Sequence, residues 1–387
     1  MTSATSGSPG TGKSPVNLHR KASFAKATEP KGAKGAEKRP SWGRAARWRR
    51  SLATSRSPPD SRDEKPVSPG DRKITLSSTI IIPTHNGKPM LERCLAALQL
   101  AVAAAGESHT ILVVDDASTD GTPDYLAHAF PSVKVLPLQK CGFARAVNSG
   151  VMQADSEAVV LLNNDVVMEP GCLKALLEAL QEPEVFAVGA KFLSGEGGLE
   201  YVLGNRTRGV WKQGLLEILH ETDPARLTVR APQLYAQGSA VACRRKQFLD
   251  LGGFDTLYEP FYWEDVDLSY RAWKRGWKVL YEPNAVCRHF QSQTTERDYH
   301  GRYLQWISLR NAYLFHWKNL TDKRLLARHL ALIPARAAGD ILVGGRSEYS
   351  AFIAALRRLR EAAARRVVER SFVVISDREV LRRTNGS

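Results

Sequence analysis

The chain has 387 residues, of which 43% are hydrophobic and 25% charged, and it carries a formal net charge of +15. That composition supports one large domain or two ordinary ones with a sizeable core, and it excludes spanning helices, because no run of about 18 apolar residues is uninterrupted. Five cysteines, Cys94, Cys141, Cys172, Cys243 and Cys287, are odd in number and lack C-x-x-C spacing, which argues against a disulfide framework or a zinc site and fits a reducing, cytoplasmic setting.

Charge is unevenly spread. Residues 1–73 hold 17 Lys+Arg against 6 Asp+Glu and residues 299–387 hold 17 against 7, whereas 74–298 is acidic with 21 against 27. A basic end can meet nucleic acid or an anionic membrane face, or simply stay solvated; with an acidic middle, no nucleic acid is expected as the main partner. The first arm contains GSPGTGKS at residues 7–14, which fits the phosphate-loop pattern letter for letter. That pattern cradles phosphate only between a strand and a helix. Here MTSATS precedes it and PVNLHRKASFAKATEPKGAKGAEKRP follows, without apolar period, so it reads as a chance match in a disordered basic arm over 1–73.

From residue 74 the pattern changes. STIIIPTHN reads as a strand closed by Pro83 and Asn86, and MLERCLAALQLAVAAAG as a helix ended by Gly106. TILVVDD is a second strand, and STDGTPDYLAHAF opens a helix near Thr122 and Pro123. VKVLPL, FARAVNSGVMQA, AVVLLNND and PGCLKALLEAL continue as strand, helix, strand and helix. Wholly apolar strands alternating with helices predict an α/β fold, a mostly parallel central sheet with helices on both faces. Residues 194–232 are less regular. Beyond 299 the chain reads as helical and Arg-rich, with SLRNAYLFHW and AFIAALRRLREAAARRVVERSF as its clearest pieces.

Ligands of such sheets lie beyond the carboxyl ends of the strands, where this chain reads PTHN, DDAS and NND. Asp115 and Asp116 can accept from a nucleobase or ribose, or serve as turn and cap carboxylates. Asp165, behind Asn163 and Asn164, suits Mg²⁺ or Mn²⁺ on a diphosphate, or an ordinary turn. In FYWEDVDLSYR, Glu264, Asp265 and Asp267 sit among aromatics; a packed core would not leave them unpaired, although first-turn helix charges are also served by such acids. His289, after the β-like run VLYEPNAVCRH, is a ligand or a structural histidine.

Taken together, IIIPTHN, VVDDASTDGT, GFARAVNSG, LLNNDV, GSAVACRR, LGGFD, EDVDLSYR, GW and a closing His resemble the family 2 glycosyltransferases, and more closely their rhamnosyltransferase-like branch, over about residues 78–292. The resemblance implies an inverting enzyme with a GT-A (nucleotide-diphospho-sugar transferase) fold over 74–298, followed by a basic helical region over 299–387. It implies that Pro83, Thr84, Asn86 and Asp116 line the nucleotide pocket, that Arg145 and Asn148 face the donor's ribose or phosphates, with Asn164 beside them, and that Asp165 and His289 hold Mg²⁺ or Mn²⁺. Asp265 is then the general base and Glu264 its neighbour on the acceptor side. The sequence departs from the family pattern in two places: Asn163 replaces the first Asp of a D-x-D, and Lys140 and Cys141 replace a Glu-Asn pair before GFA.

The implied partners are a nucleotide-diphosphate sugar and a surface-glycan or lipid-linked acceptor, the moved sugar being a hexose or deoxyhexose such as rhamnose. A sugar nucleotidyltransferase would need a glycine-rich, basic loop after the first strand, where this chain has THNGKPMLERC. In the last region Phe352, Ile353, Leu356 and Leu359 recur at helical spacing near Arg357, Arg358, Arg360, Arg365 and Arg366. This predicts either a helix lying on an anionic membrane, which would place the protein peripherally on the inner face of the cell membrane, or one packed on the catalytic domain.

Overall fold

The computed structural model describes residues 76–106, 108–194, 201–203, 206–289, 301–342 and 347–385, all within one unit spanning Val67–Ser387. The basic arm and its GSPGTGKS motif lie outside the described residues.

Strands β1 (Ser78–Thr84), β2 (His109–Asp116), β3 (Lys134–Leu138) and β4 (Ala158–Leu162) alternate with helices α1 (Lys88–Ala105), α2 (Thr122–Ala129) and α3 (Phe143–Gln153), and α4 (Cys172–Leu180) follows. The spatial order is β3-β2-β1-β4, all parallel. The order reverses between β1 and β4, the kind of switch point where open sheets bind ligands. Period-two alternation sends Ile80 and Ile82 to one face against Leu91, Leu95 and Leu98 of α1, and Ile81 to the other against Val147 and Val151 of α3. Helices therefore cover both faces, as expected from continuous apolar strands.

Pairing alone extends the sheet past β4. Strand β11 (Ala240–Arg244) inserts antiparallel between β4 and β6 (Val185–Ser194), and β12 (Lys278–His289) then runs parallel to β6. Short β5 (Val166–Met168) pairs with the end of β12 and sets Val166 opposite His289. Short β7 (Tyr201–Leu203) pairs with β6, and β10 (Ala231–Pro232) with β12.

The irregular stretch contains a hairpin, β8 (Thr207–Lys212) with β9 (Leu215–His220). It is clasped by the C-terminal helices α7 (Gly301–Asn319) and α8 (Lys323–Leu342) through two stacked histidines whose ring centroids are 4.8 Å apart. His316 Nε2 accepts from Leu216 N–H at 2.7 Å while its Nδ1 donates to the Ala312 carbonyl, and His329 Nδ1 donates to the Gly214 carbonyl at 2.8 Å. Burial, reinforced for His316 by His329, lowers the pair to about 3 and about 4, so both stay neutral.

Helix α5 (Arg245–Asp250) leads toward α6 (Glu264–Lys274). The segment 351–372, read as one helix, is two: α9 (Ser347–Leu356) and α10 (Leu359–Arg370). The break falls at Arg358, whose guanidinium reaches back to the Leu257 carbonyl at 2.6 Å. Arg365 pairs with Asp255 at 2.7 Å and Arg366 donates to the Trp317 carbonyl at 2.9 Å. These three arginines tie residues 358–366 to the loop after α5 and to α7. Helix α11 (Asp377–Asn385) closes the unit, with buried Asp377 accepting from Tyr270 and Lys274. Among the described residues no helix is long and apolar enough to cross a membrane.

Candidate functional site

A cleft of about 550 Å³ opens beyond the carboxyl ends of the central strands, lined among others by Asn163, Asp165, Glu264, Asp265 and His289. Asp165 follows β4, and the β5–β12 pairing brings His289 to it: His289 Nε2 and Asp165 Oδ1 are 3.4 Å apart. Neither atom has a hydrogen-bond partner, nor have Asn163 Oδ1 and Glu264 Oε2 in the same cleft, although all four are buried. Buried polar atoms are ordinarily paired, so this convergence marks a place for a charged or polar ligand. An acid oxygen beside an imidazole nitrogen, with an amide oxygen near, suits a hard divalent cation. Among the described residues no group of three or more acid, His or Cys side chains is placed to hold a metal ion; Asp165 and His289 could supply two ligands.

Glu264 and Asp265 begin α6. Asp265 Oδ2 accepts from Gly238 N–H at 3.2 Å and Oδ1 from Val266 N–H at 2.8 Å, which fixes the carboxylate in the cleft wall. Burial raises the Asp265 carboxyl against these two donors, and burial together with the Asp265 charge lifts Glu264 to about 8. Two adjacent buried carboxyls cannot both ionise cheaply. Asp267, the third acid of that run, faces the core: it pairs with Arg271 at 2.6 Å and Lys318 at 2.8 Å, which hold it below the usual range despite its burial.

The loop that leads into α6 is held by α7. Buried Asn311 donates from Nδ2 to the carbonyls of Tyr258, Phe261 and Tyr262 at 2.8, 3.0 and 2.8 Å. Tyr262 and Trp263 both have left-handed backbones, φ 71° and 78°, which bulky residues adopt only when their surroundings impose it. Trp263 donates to Ser308 Oγ at 3.2 Å and packs on Phe315. The sequence presented these aromatics without indicating their role, and Asn311 gave no short-range signal, because its partners lie some 50 residues away in the chain.

The remaining expected residues frame the neighbouring loops. Thr84 Oγ1 accepts from Asn164 Nδ2 at 2.9 Å across the β1–β4 switch point. A side chain on Gly87 would lie 2.3 Å from that amide and 2.4 Å from the Thr84 hydroxyl, so only glycine fits. Pro83 precedes Thr84, the last residue of β1. Asn86 receives Thr119 N–H on its Oδ1 at 2.7 Å and donates its own N–H to Ser118 Oγ, joining the loops after β1 and β2. Asp116 takes the N–H groups of Cys141 and Gly142 at 2.6 and 3.0 Å and the Lys140 ammonium at 3.1 Å. Against the cost of burial, the Cys141 amide and Lys140 hold this carboxyl below its ordinary value. Lys140 and Cys141, which together make one of the departures from the family pattern, therefore both contact Asp116. Arg145 pairs with Glu259 at 2.7 Å.

Asn148, which the resemblance places toward the donor, exchanges two hydrogen bonds with the Phe254 main chain, at 2.8 and 2.9 Å, and so ties α3 to the segment after Gly252-Gly253.

With this geometry in place, the Glycosyl transferase family 2 model matches residues 79–246. A curated relative, the N-acetylglucosaminyl-diphospho-decaprenol L-rhamnosyltransferase of Mycobacterium tuberculosis, is 31% identical over 243 residues, covering 57% of this chain and 78% of the relative. The pre-mycofactocin glycosyltransferase of the same organism is 28% identical over 246 residues, covering 61% of this chain and 46% of its own. Among solved structures, GalNAc-T7 with UDP, GalNAc and Mn²⁺ superposes with a TM-score of 0.50 at 19% identity, over 64% of this chain and 48% of that one. That likeness is one of fold, the GT-A arrangement of a mostly parallel sheet between helices.

Proposed function

The chain belongs to glycosyl transferase family 2, and we propose that it is an inverting enzyme moving a hexose or deoxyhexose, rhamnose first, from a nucleotide-diphosphate sugar to a hydroxyl of a surface-glycan or lipid-linked acceptor. The observation that carries this reading is the convergence of four buried polar atoms without a hydrogen-bond partner, on Asn163, Asp165, Glu264 and His289, in the cleft that also holds Asp265. A rhamnosyltransferase among the relatives supports the choice of sugar.

In this reading Pro83, Thr84, Asn86 and Asp116 flank the nucleotide at the strand ends, with Asn164 supporting Thr84 and Arg145 near the phosphates. Asp165 and His289 would hold Mg²⁺ or Mn²⁺, which when bound neutralises charge on the departing diphosphate. Asp265, held by two N–H groups and made more basic by burial, takes the proton from the acceptor hydroxyl. As that oxygen bonds to the anomeric carbon, the bond from this carbon to the diphosphate oxygen breaks on the opposite face, and the configuration inverts. Glu264, neutral below about pH 8, is placed to donate a hydrogen bond to the acceptor.

The test is turnover of a nucleotide-sugar panel with Mg²⁺ or Mn²⁺. Asp265→Asn should lower kcat by about a hundredfold or more, the usual contribution of a general base. Full turnover in that variant would overturn the base assignment, and activity indifferent to chelation would overturn the metal site.

We also propose peripheral contact with an anionic membrane. Its support is a nearly wholly apolar groove of about 690 Å³ between α7, α8, α9 and α10, lined by the exposed Leu330, Tyr349, Leu356 and Leu359, with Arg324, Arg328 and Arg360 exposed on the same helices and Arg357 exposed between α9 and α10. Flotation of the full chain with anionic vesicles should be lost in Leu330→Asp/Leu356→Asp; unchanged flotation of that variant would refute the contact.

A further inference from the structure

Beyond the catalytic cleft lies a second cavity, of about 770 Å³, between the β8–β9 hairpin and helices α7, α8 and α9. The two share Leu216, Tyr262, Trp263 and Ser308 as common walls, so they form one continuous depression with the aromatic pair at its waist. Each alone has the size of an ordinary ligand site.

The chemistry of the second cavity selects its occupant. Its charged side chains are already matched, Lys212 with Glu217 at 3.2 Å and Arg336 with Glu348. What remains is ring surface from Tyr262 and Trp263, the amides of Gln213 and Gln305 and the Ser308 hydroxyl, set among the aliphatic side chains of Leu215, Leu216, Leu304 and Leu309. Flat rings beside neutral donors and acceptors match the apolar faces and hydroxyl edges of sugar rings. An anionic ligand would need unmatched cations and a hydrocarbon would need a dry wall. The nearly wholly apolar groove on the far side of α8 shows what such a wall looks like in this protein.

The backbone supports the same conclusion. Two consecutive bulky residues are kept at positive φ by the three donations of Asn311 and by the Trp263–Ser308 bond. The result turns the Tyr262 ring, 40% exposed, toward both cavities. Strain that is over-determined by its surroundings and aimed into a cleft is a functional signature.

We propose that the acceptor is a saccharide of two or more units: the sugar bearing the attacking hydroxyl lies beside Asp265, the next lies in the second cavity, and Tyr262 sets this length preference. The proposal rests on the reading of Asp265 as the base. Its test uses the full chain with the donor it turns over and octyl glycosides of one, two and three sugars, in glucose, N-acetylglucosamine, galactose and rhamnose series. In at least one series kcat/KM should rise by about tenfold from monomer to trimer, the size of one stacking contact. Tyr262→Ala should close that gap through KM, and Tyr262→Phe, which keeps the ring face, should retain it. Gln305→Ala, on the exposed surface of α7 and without a part in the bonds that hold the 258–263 loop, should narrow it as well. Transfer without length dependence, or a gap preserved in Tyr262→Ala, would overturn the inference while leaving the transferase reading intact. Donor hydrolysed in water but transferred to no saccharide would also overturn the inference alone. A wild-type chain that neither hydrolyses nor transfers any donor would sink the reading beneath it.

Discussion

Replacing Glu264 with Gln isolates the electrostatics of the cleft. Glu264 is 9% exposed, its Oε2 has no partner, and burial together with Asp265 lifts it from 4.5 to about 8. The folded state keeps this proton up to about pH 8, whereas the unfolded chain releases it near pH 4.5. Between those values folding takes up a proton, so stability falls as pH rises, by about 1.4 kcal/mol per pH unit and about 5 kcal/mol in all. Gln keeps the shape of the neutral acid and does not titrate. Urea unfolding of the metal-free full chain should find Glu264→Gln within about 1 kcal/mol of the wild type near pH 5 and more stable by several kcal/mol at pH 9. His316 and His329, lowered from 6.5 to about 3 and about 4, impose the opposite slope. Each withdraws about 2 kcal/mol between pH 7 and pH 5, because the unfolded chain then binds protons that the buried rings refuse. Both proteins share that slope, so it cancels in the difference. Because Glu264 and Asp265 titrate as a pair, Asp265→Asn should remove part of the same slope. A wild-type-minus-variant difference that is flat from pH 5 to pH 9 would refute the argument.

Asn311→Ala removes three donations to the 258–262 loop and should lower stability by about 2–4 kcal/mol, with kcat/KM falling further than the fraction unfolded explains. Gly87→Ala would drive Asn164 from Thr84, costing about 1–3 kcal/mol in urea unfolding and raising the donor KM. Lys318→Met leaves Asp255 and Asp267 without the ammonium that bridges them at 2.7 and 2.8 Å, and should destabilise by about 3–5 kcal/mol. Lys13→Ala, in the GSPGTGKS motif, should leave glycosyl transfer at the wild-type rate.

Local pattern was enough for the first half of the sheet. Continuous apolar runs such as TIII and ILVV are buried on both faces whatever their neighbours, so β1 to β4 and the helices between them could be read directly, as could the acids and amides that end those strands. Composition could not reveal β11, because an antiparallel strand inserted between parallel ones is set by pairing partners some 80 residues back in the chain. The same limit governed the site. Asp165 and His289 are 124 positions apart in the sequence and meet because β5 pairs with the end of β12. Asp265 and Asp267 looked equivalent as letters, yet two residues along a helix turned one to the cleft and the other to Lys318. The bonds of Asn148 to the Phe254 main chain, 106 positions away, had no signal in the local sequence. The five arginines between positions 357 and 366 suited a lipid surface by charge, and Asp255 and the carbonyls of Leu257 and Trp317 meet three of them. Residue type and spacing determine which groups can ionise, coordinate or stack. The partner that each group meets is decided by long-range contacts, and these exist only in the folded chain.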